Sequence, residues 1–250
     1  MKIRTAFASV LFLAAVGMAS PAPAVPITFT GSSGSLAASV TFDIVAGNLV
    51  VTLTNTSASD VLVPSDVLTG VFFNVSGNPA LTRLSGLLAG GSTVFYDAQG
   101  QPVGGVIGGE WSYLNGLSQY SANSGISSAG LGIFGPGNLF PGPDLEPPTS
   151  PDGVQYGLLS AGDNTGTGNG GITGSGGLIK NSAQFTLDNL PAGFTLAFID
   201  RVTFQYGTAL TEPSIPGGCI DCTFQVPEPE SLALVGLGLL TLAFMRRRRA

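Results

Sequence analysis

The sequence predicts an all-β fold: an antiparallel β-sandwich-like ectodomain with Gly/Pro-rich loops. Three observations carry this. Short runs of β-branched and aromatic residues recur along the chain, separated by turn residues. The 37 glycines and 17 prolines make 54 of 250 residues, more than a fifth of the chain. Hydrophobic residues reach 44% while charged residues stop at 10%, against roughly 25% charged in soluble domains. Such a chain has material for a core and differs from a charged, solvating disordered one. Three parts are expected: a leader over 1–24, a β-rich extracellular domain over 25–225 and a C-terminal signal over 226–250.

Taken in order, Ser39–Val45 and Leu49–Thr54 are the first strand candidates. The short Ala46-Gly47-Asn48 connection between them is a hairpin signal, and Phe42 and Ile44 alternating with Thr41 and Asp43 mark one buried face. Val71–Val75, Thr93–Tyr96 and Val154–Leu159 follow. Ala183–Leu187, Phe194–Phe198 and Val202–Tyr206 form a late cluster. About 200 residues suffice to bury a core in one such domain. Gly100–Gly109 is read as a wide turn, and Ser121–Gly177 is dominated by Gly, Ser, Asn and Pro. Within that stretch Gly162–Gly177 is flexible by composition. A loop of this length is unusual in a compact domain.

The two ends read differently from the body. Lys2 and Arg4 precede an apolar run from Ala6 to Met18, then Ala19-Ser20-Pro21-Ala22-Pro23-Ala24. This is the charged, apolar and Ala-x-Ala order of a secretory signal peptide. Ala22 and Ala24 take the −3 and −1 positions, so signal peptidase and the general export machinery are the expected partners and Val25 the mature start. At the other end, Val226-Pro227-Glu228-Pro229-Glu230 precedes the apolar run Ser231–Met245 and then Arg246, Arg247, Arg248 and Arg249. Fifteen helical residues rise roughly 22 Å, short of a hydrocarbon core about 30 Å thick. With arginine snorkelling the segment inserts marginally. The arginines act as a stop-transfer cluster on the cytoplasmic side and leave the body on the opposite side.

This cassette resembles the PEP-CTERM sorting signal: Val226 and Pro227-Glu228-Pro229, a short apolar helix, and a terminal arginine cluster. The resemblance covers about 25 residues. It implies recognition by an exosortase, a multi-pass membrane enzyme that resembles a cysteine transpeptidase, and cleavage near the Pro-Glu-Pro motif. It further implies a transient inner-membrane anchor, then the cell surface or extracellular matrix of a Gram-negative bacterium, often one that makes extracellular polysaccharide. Asp60–Thr82 is also similar to the start of one subgroup of exosortase-dependent surface proteins of unknown activity.

The body offers little chemistry. The chain has no histidine, which removes the commonest general base and any histidine-based triad. From Val25 to Gln225, three cations (Arg83, Lys180, Arg201) face thirteen acids, a net charge of −10. Such a body cannot neutralise a row of phosphates, so no nucleic-acid partner is expected. Cys219 and Cys222, in an exported chain, are read as a local disulfide. A redox Cys-x-x-C needs a helix N-terminus, and zinc needs two more ligands. Asp144, Glu146, Asp152 and Asp163 are the candidate acid/base or calcium carboxylates, with solvated loop acids as the plainer reading. Glu110-Trp111-Ser112-Tyr113 is either a sugar-stacking patch or, with aromatics at i and i+2, one core face of a strand. Asn55-Thr56-Ser57 and Asn74-Val75-Ser76 fit the N-glycosylation pattern, which in a bacterium is weak.

The expected function is that of a non-catalytic exported surface or matrix protein, structural or adhesive, with no catalytic residue, cofactor or metal. A carbohydrate-binding module, calcium-assisted or not, whose partner would be extracellular polysaccharide, is the second reading. A glycoside hydrolase is the third.

Overall fold

A computed structural model describes residues 24–222. The strands are β1 (Ile27–Ser33), β2 (Leu36–Val45), β3 (Asn48–Asn55), β4 (Leu68–Val75), β5 (Thr82–Leu88), β6 (Thr93–Phe95) and β7 (Ser112–Asn115). They continue with β8 (Ser124–Ser127), β9 (Leu158–Leu159), β10 (Leu178–Lys180), β11 (Ser182–Asp188), β12 (Ile199–Tyr206), β13 (Ser214–Pro216) and β14 (Gly218–Cys219). One sheet has the order β14-β1-β2-β3-β11-β5 and is antiparallel throughout. The other runs β13-β12-β4-β9-β10-β6, with β8 on β4 and β7 on β8, and includes one parallel pair, β9 with β10. The fold is all-β and sandwich-like, as the sequence predicts.

The β2–β3 hairpin forms because Ala46 and Gly47 both take positive φ, 51° and 81°. The right-handed twist of paired strands selects that two-residue geometry. Val45 therefore pairs with Asn48, which belongs to β3 and not to the turn. Alternation then sends Leu49, Val51 and Leu53 inward from β3, and Phe185 and Leu187 from β11. They meet Val71, Phe73 and Val75 of β4 and Phe204 and Tyr206 of β12 in one core. Phe42 and Phe73 cross the interface edge to face at 5.0 Å. Strand β4 is buried on both faces: Phe73 points into the main core, while Phe72 lies under Ala122, Ala129, Leu131 and Phe134.

Trp111 and Tyr113 are core residues, fully buried or nearly so, which rules out the sugar-stacking reading. The indole sits 4.8 Å from the Phe185 ring and donates to the Tyr156 carbonyl at 3.1 Å. The two sequon asparagines are also engaged. Asn55 is buried and donates to the Leu158 carbonyl, and Asn74 donates to Asp200.

Two strand expectations are corrected. Only Leu158–Leu159 of Val154–Leu159 is strand, because positive φ at Gly153 and Tyr156 coils the preceding residues. Phe194–Phe198 ends in a 3-10 turn over Leu196–Phe198. It follows the tight turn in which Phe194 N–H reaches the Pro191 carbonyl and finds no strand to pair with. The glycine-rich 162–177 stretch, expected to be flexible, is tied down instead. A helical turn, α1 (Gly170–Thr173), is capped by the Asn169 side chain, and Ile172 buries itself against Val61, Val67 and Leu178.

Trp111→Ala should lower the unfolding free energy by about 3–5 kcal/mol, the usual cost of a large core deletion. Urea denaturation of the exported body would read this as a lower midpoint at an unchanged slope.

Candidate functional site

The carboxylates come first, since any acid/base chemistry would rest on them. Glu110 is buried, and its Oε1 accepts the backbone N–H groups of Leu145 and Glu146 at 2.6 and 3.0 Å. Gly108 and Gly109, just before it, lie so close to the carbonyls of Pro141 and Pro143 that neither has room for a Cβ. Burial raises the Glu110 carboxyl to about 7; the two N–H groups pull it down, and the neighbouring charges of Asp144 and Glu146 push it up. Nearby, the buried Tyr156 hydroxyl donates to Asp97. Asp144 accepts from the Thr149 hydroxyl. Burial, then the Asp144 charge, raises the Asp152 carboxyl.

Asp163 is not a solvated loop acid. It is buried, and its Oδ1 accepts the Val61 N–H at 2.9 Å. Asp60, next to Val61, returns the contact by accepting the Asn164 N–H and the Thr167 hydroxyl. Two loops about a hundred residues apart are thus buckled by adjacent aspartates. The second oxygen of Asp163 has no hydrogen-bond partner. Burial raises the Asp163 carboxyl, with Asp60 adding to the rise. The Lys180 ammonium donates to the Asp163 carbonyl. Among the described residues no group of three or more His, Cys, Asp or Glu side chains is placed to hold a metal ion. The four carboxylates singled out from the sequence therefore fall into two regions: Asp144, Glu146 and Asp152 near Glu110, and Asp163 beside Asp60.

A feature missed in the sequence is a groove of about 390 Å³ between β5, β7 and the 137–141 turn. Arg83, Asn115 and Asn138 supply its polar groups, and Leu139 and Pro141 part of its floor. Arg83 donates to the Gly137 carbonyl and makes no ion pair among the described residues. Its being one of three cations in the body was the available signal.

The last described segment is built tightly. Strand β14 pairs with β1, Phe29 opposite Cys219 and Thr30 opposite Gly218. The Ile220 N–H then reaches the Thr28 carbonyl at 2.9 Å. Cys219 and Cys222 form a disulfide across Ile220 and Asp221, with Cα atoms 5.8 Å apart. Both sulfur residues pack against the main core, while Ile220 is 60% exposed. Ala24 and Val25, at the other end of the described chain, are exposed as well. Ala22, Val226 to Pro229 and Arg246 to Arg249 lie outside the described residues.

Comparison with protein families finds the PEP-CTERM protein-sorting motif at residues 225–249. The chain carries a PEP-CTERM sorting signal. That signal makes it an exported protein, sorted through a membrane-anchored stage and subject to exosortase-type processing. No curated protein and no solved structure matches the chain.

The exported body should show the acid environment around Glu110 as a pH dependence. Its folded pKa lies above the unfolded value, so the folded state holds the proton more tightly. The associated stability is full below the unfolded value of about 4.5 and is lost as pH rises through about 7. Thermal melts between pH 4 and 8 should show this loss, and Glu110→Gln, which keeps an acceptor for the two N–H groups, should flatten it.

Proposed function

We propose that this is a surface or extracellular-matrix protein of a Gram-negative bacterium. It has no catalytic activity of its own and serves a structural or adhesive role after exosortase-type processing near Pro227-Glu228-Pro229. The observation that carries the reading is the sorting motif at residues 225–249, beginning three residues beyond the disulfide that closes the body. Two further observations support it. The sequence has no histidine, and its best-buried carboxylates, Glu110 and Asp163, are engaged by backbone N–H groups. Acids held in this way fasten loops, and their accepting oxygens are already occupied by the backbone.

Carbohydrate binding is the second reading, and the groove at Arg83 is the observation that favours it. Amide side chains beside a guanidinium that makes no ion pair among the described residues suit hydroxyl and carboxylate groups of a polysaccharide. If the body binds glycans there, a glycan array should register it, and Arg83→Ala with Asn138→Ala should weaken the signal at least tenfold without changing the melting temperature. An array that stays blank leaves the structural role alone.

The sorting reading has a direct test. Mass spectrometry of the C-terminal peptide from surface and medium fractions should find an end between Val226 and Glu230. Replacing Pro227, Glu228 and Pro229 with alanine should trap full-length precursor in the inner membrane while export continues. Normal-sized, surface-located protein from that variant would refute the reading.

A further inference from the structure

Asp60 and Asp163 each bind the residue that follows the other. Asp163 Oδ1 accepts the Val61 N–H and Asp60 Oδ1 accepts the Asn164 N–H, both at 2.9 Å. This reciprocal pairing brings the two carboxyl groups within hydrogen-bonding reach of each other. Their remaining oxygens differ. Asp60 Oδ2 accepts the Thr167 hydroxyl at 2.6 Å. Asp163 Oδ2 is buried and has no partner, in a residue only 5% exposed. A carboxylate shut away from water with one oxygen unpaired is costly, and a second carboxylate beside it adds repulsion. A proton on that oxygen removes both penalties, because a carboxylic acid can donate where a carboxylate can only accept.

The groups around the pair favour a proton over a metal ion. Lys180, from β10, donates its ammonium to the Asp163 carbonyl at 2.6 Å and makes no ion pair among the described residues. Tyr96, just after β6, commits its hydroxyl to the Thr165 carbonyl. Among the described residues no third metal-ligating side chain joins the two aspartates. A calcium ion needs about six to eight oxygen ligands and would sit close to the Lys180 ammonium. A proton needs the one free oxygen.

We propose that Asp163 is a neutral carboxylic acid that donates its proton to Asp60, and that this bond is a latch between the 57–63 and 160–169 loops which loosens when the proton leaves. Burial is the largest influence on the Asp163 carboxyl and raises it; the Val61 N–H opposes the rise, Asp60 adds to it and Lys180 tempers it. Asp60 stays the charged acceptor, held down chiefly by the Thr167 hydroxyl and then by the Asn164 N–H. With its folded value above the ordinary 3.8, the contribution of Asp163 is complete below 3.8 and is lost as pH rises through the folded value. The Ser160 hydroxyl on the Ser59 carbonyl, the Asn169 N–H on the Leu62 carbonyl and the burial of Ile172 still hold the loops together, so the change is local. An exported chain meets the pH of its surroundings directly, and these loops tighten where the surroundings are acid.

The test uses the full-length chain, isotope-labelled and purified in detergent. By NMR the Asp163 carboxyl carbon should titrate above 3.8. Hydrogen exchange should show the Val61 and Asn164 amides losing protection in step, by up to about tenfold per pH unit between 3.8 and that value. Amides of β3 and β11 report global opening and separate this local loss from the effect of Glu110. Asp163→Asn keeps the shape and gives Asp60 a permanent donor, so Val61 and Asn164 should stay protected across the range. Asp60→Asn should bring the Asp163 titration part of the way down. The proposal is overturned by an Asp163 carbon that titrates at or below 3.8, by an unchanged titration in the Asp60 variant, or by an equal loss of protection in Asp163→Asn. Recovery of the parent's protection at neutral pH on adding calcium also overturns it, since the occupant would then be a cation.

Discussion

The contact between Trp111 and Phe185 holds the most dependent part of the structure. Phe185 belongs to β11, in the antiparallel sheet, and Trp111 leads into β7 of the other sheet. With Phe140 also on Phe185, 5.3 Å away, the three rings join the layers through apolar area and ring geometry. The position of Trp111 then dictates what precedes and faces it. Its carbonyl takes the Phe140 N–H at 2.8 Å, drawing the 139–143 segment alongside. That proximity leaves Gly108 and Gly109 no room for side chains, and it brings the amides of Leu145 and Glu146 within reach of Glu110. An aromatic seam therefore orders a proline-rich loop that has no regular structure of its own.

The shortage of cations shapes the rest. Among the described residues the only ion pair is Arg201 with Asp200, on the surface, where such a pair contributes little. The acids use backbone amides instead. Glu110 takes two, Asp60 and Asp163 take one each across the buckled loops, and Glu212 takes the N–H groups of Thr208 and Ala209. An amide donor fixes a carboxylate by geometry and costs no second charged side chain. It also converts acid residues into loop fasteners, which is why a chain with so much glycine can hold long irregular segments in place.

Much of this was legible in the residues. The β2–β3 hairpin and β11 follow from alternation and turn chemistry, and β4 and β12 from apolar, β-branched composition, because in each the local pattern and the packing agree. Strand β1 was not legible, and its glycine explains why. Gly31 sits mid-strand since Ile215 and the Pro216 carbonyl crowd the space a Cβ would take, a constraint set by residues far along the chain. Gly86 in β5 lies similarly close to the Gly108 backbone. Such glycines look like turns and are packing sites. Phe194–Phe198 errs the other way: it has strand composition but no strand beside it to pair with. Asp163 looked solvated because its partner, Val61, is 102 residues distant. The disulfide was legible from two cysteines and an export signal, whereas the Arg83 groove was not, since three separate segments build it.

Compartment chemistry ties the body to its signal. Before export the thiols of Cys219 and Cys222 face a reducing cytosol, and disulfides persist only where the surroundings are oxidising. The disulfide seen in the folded body therefore belongs to the exported state. With a net charge of −10 between Val25 and Gln225, the body is repelled by anionic lipid surfaces. The loops of the body are kept in place by its aromatic seam and its amide-bound acids.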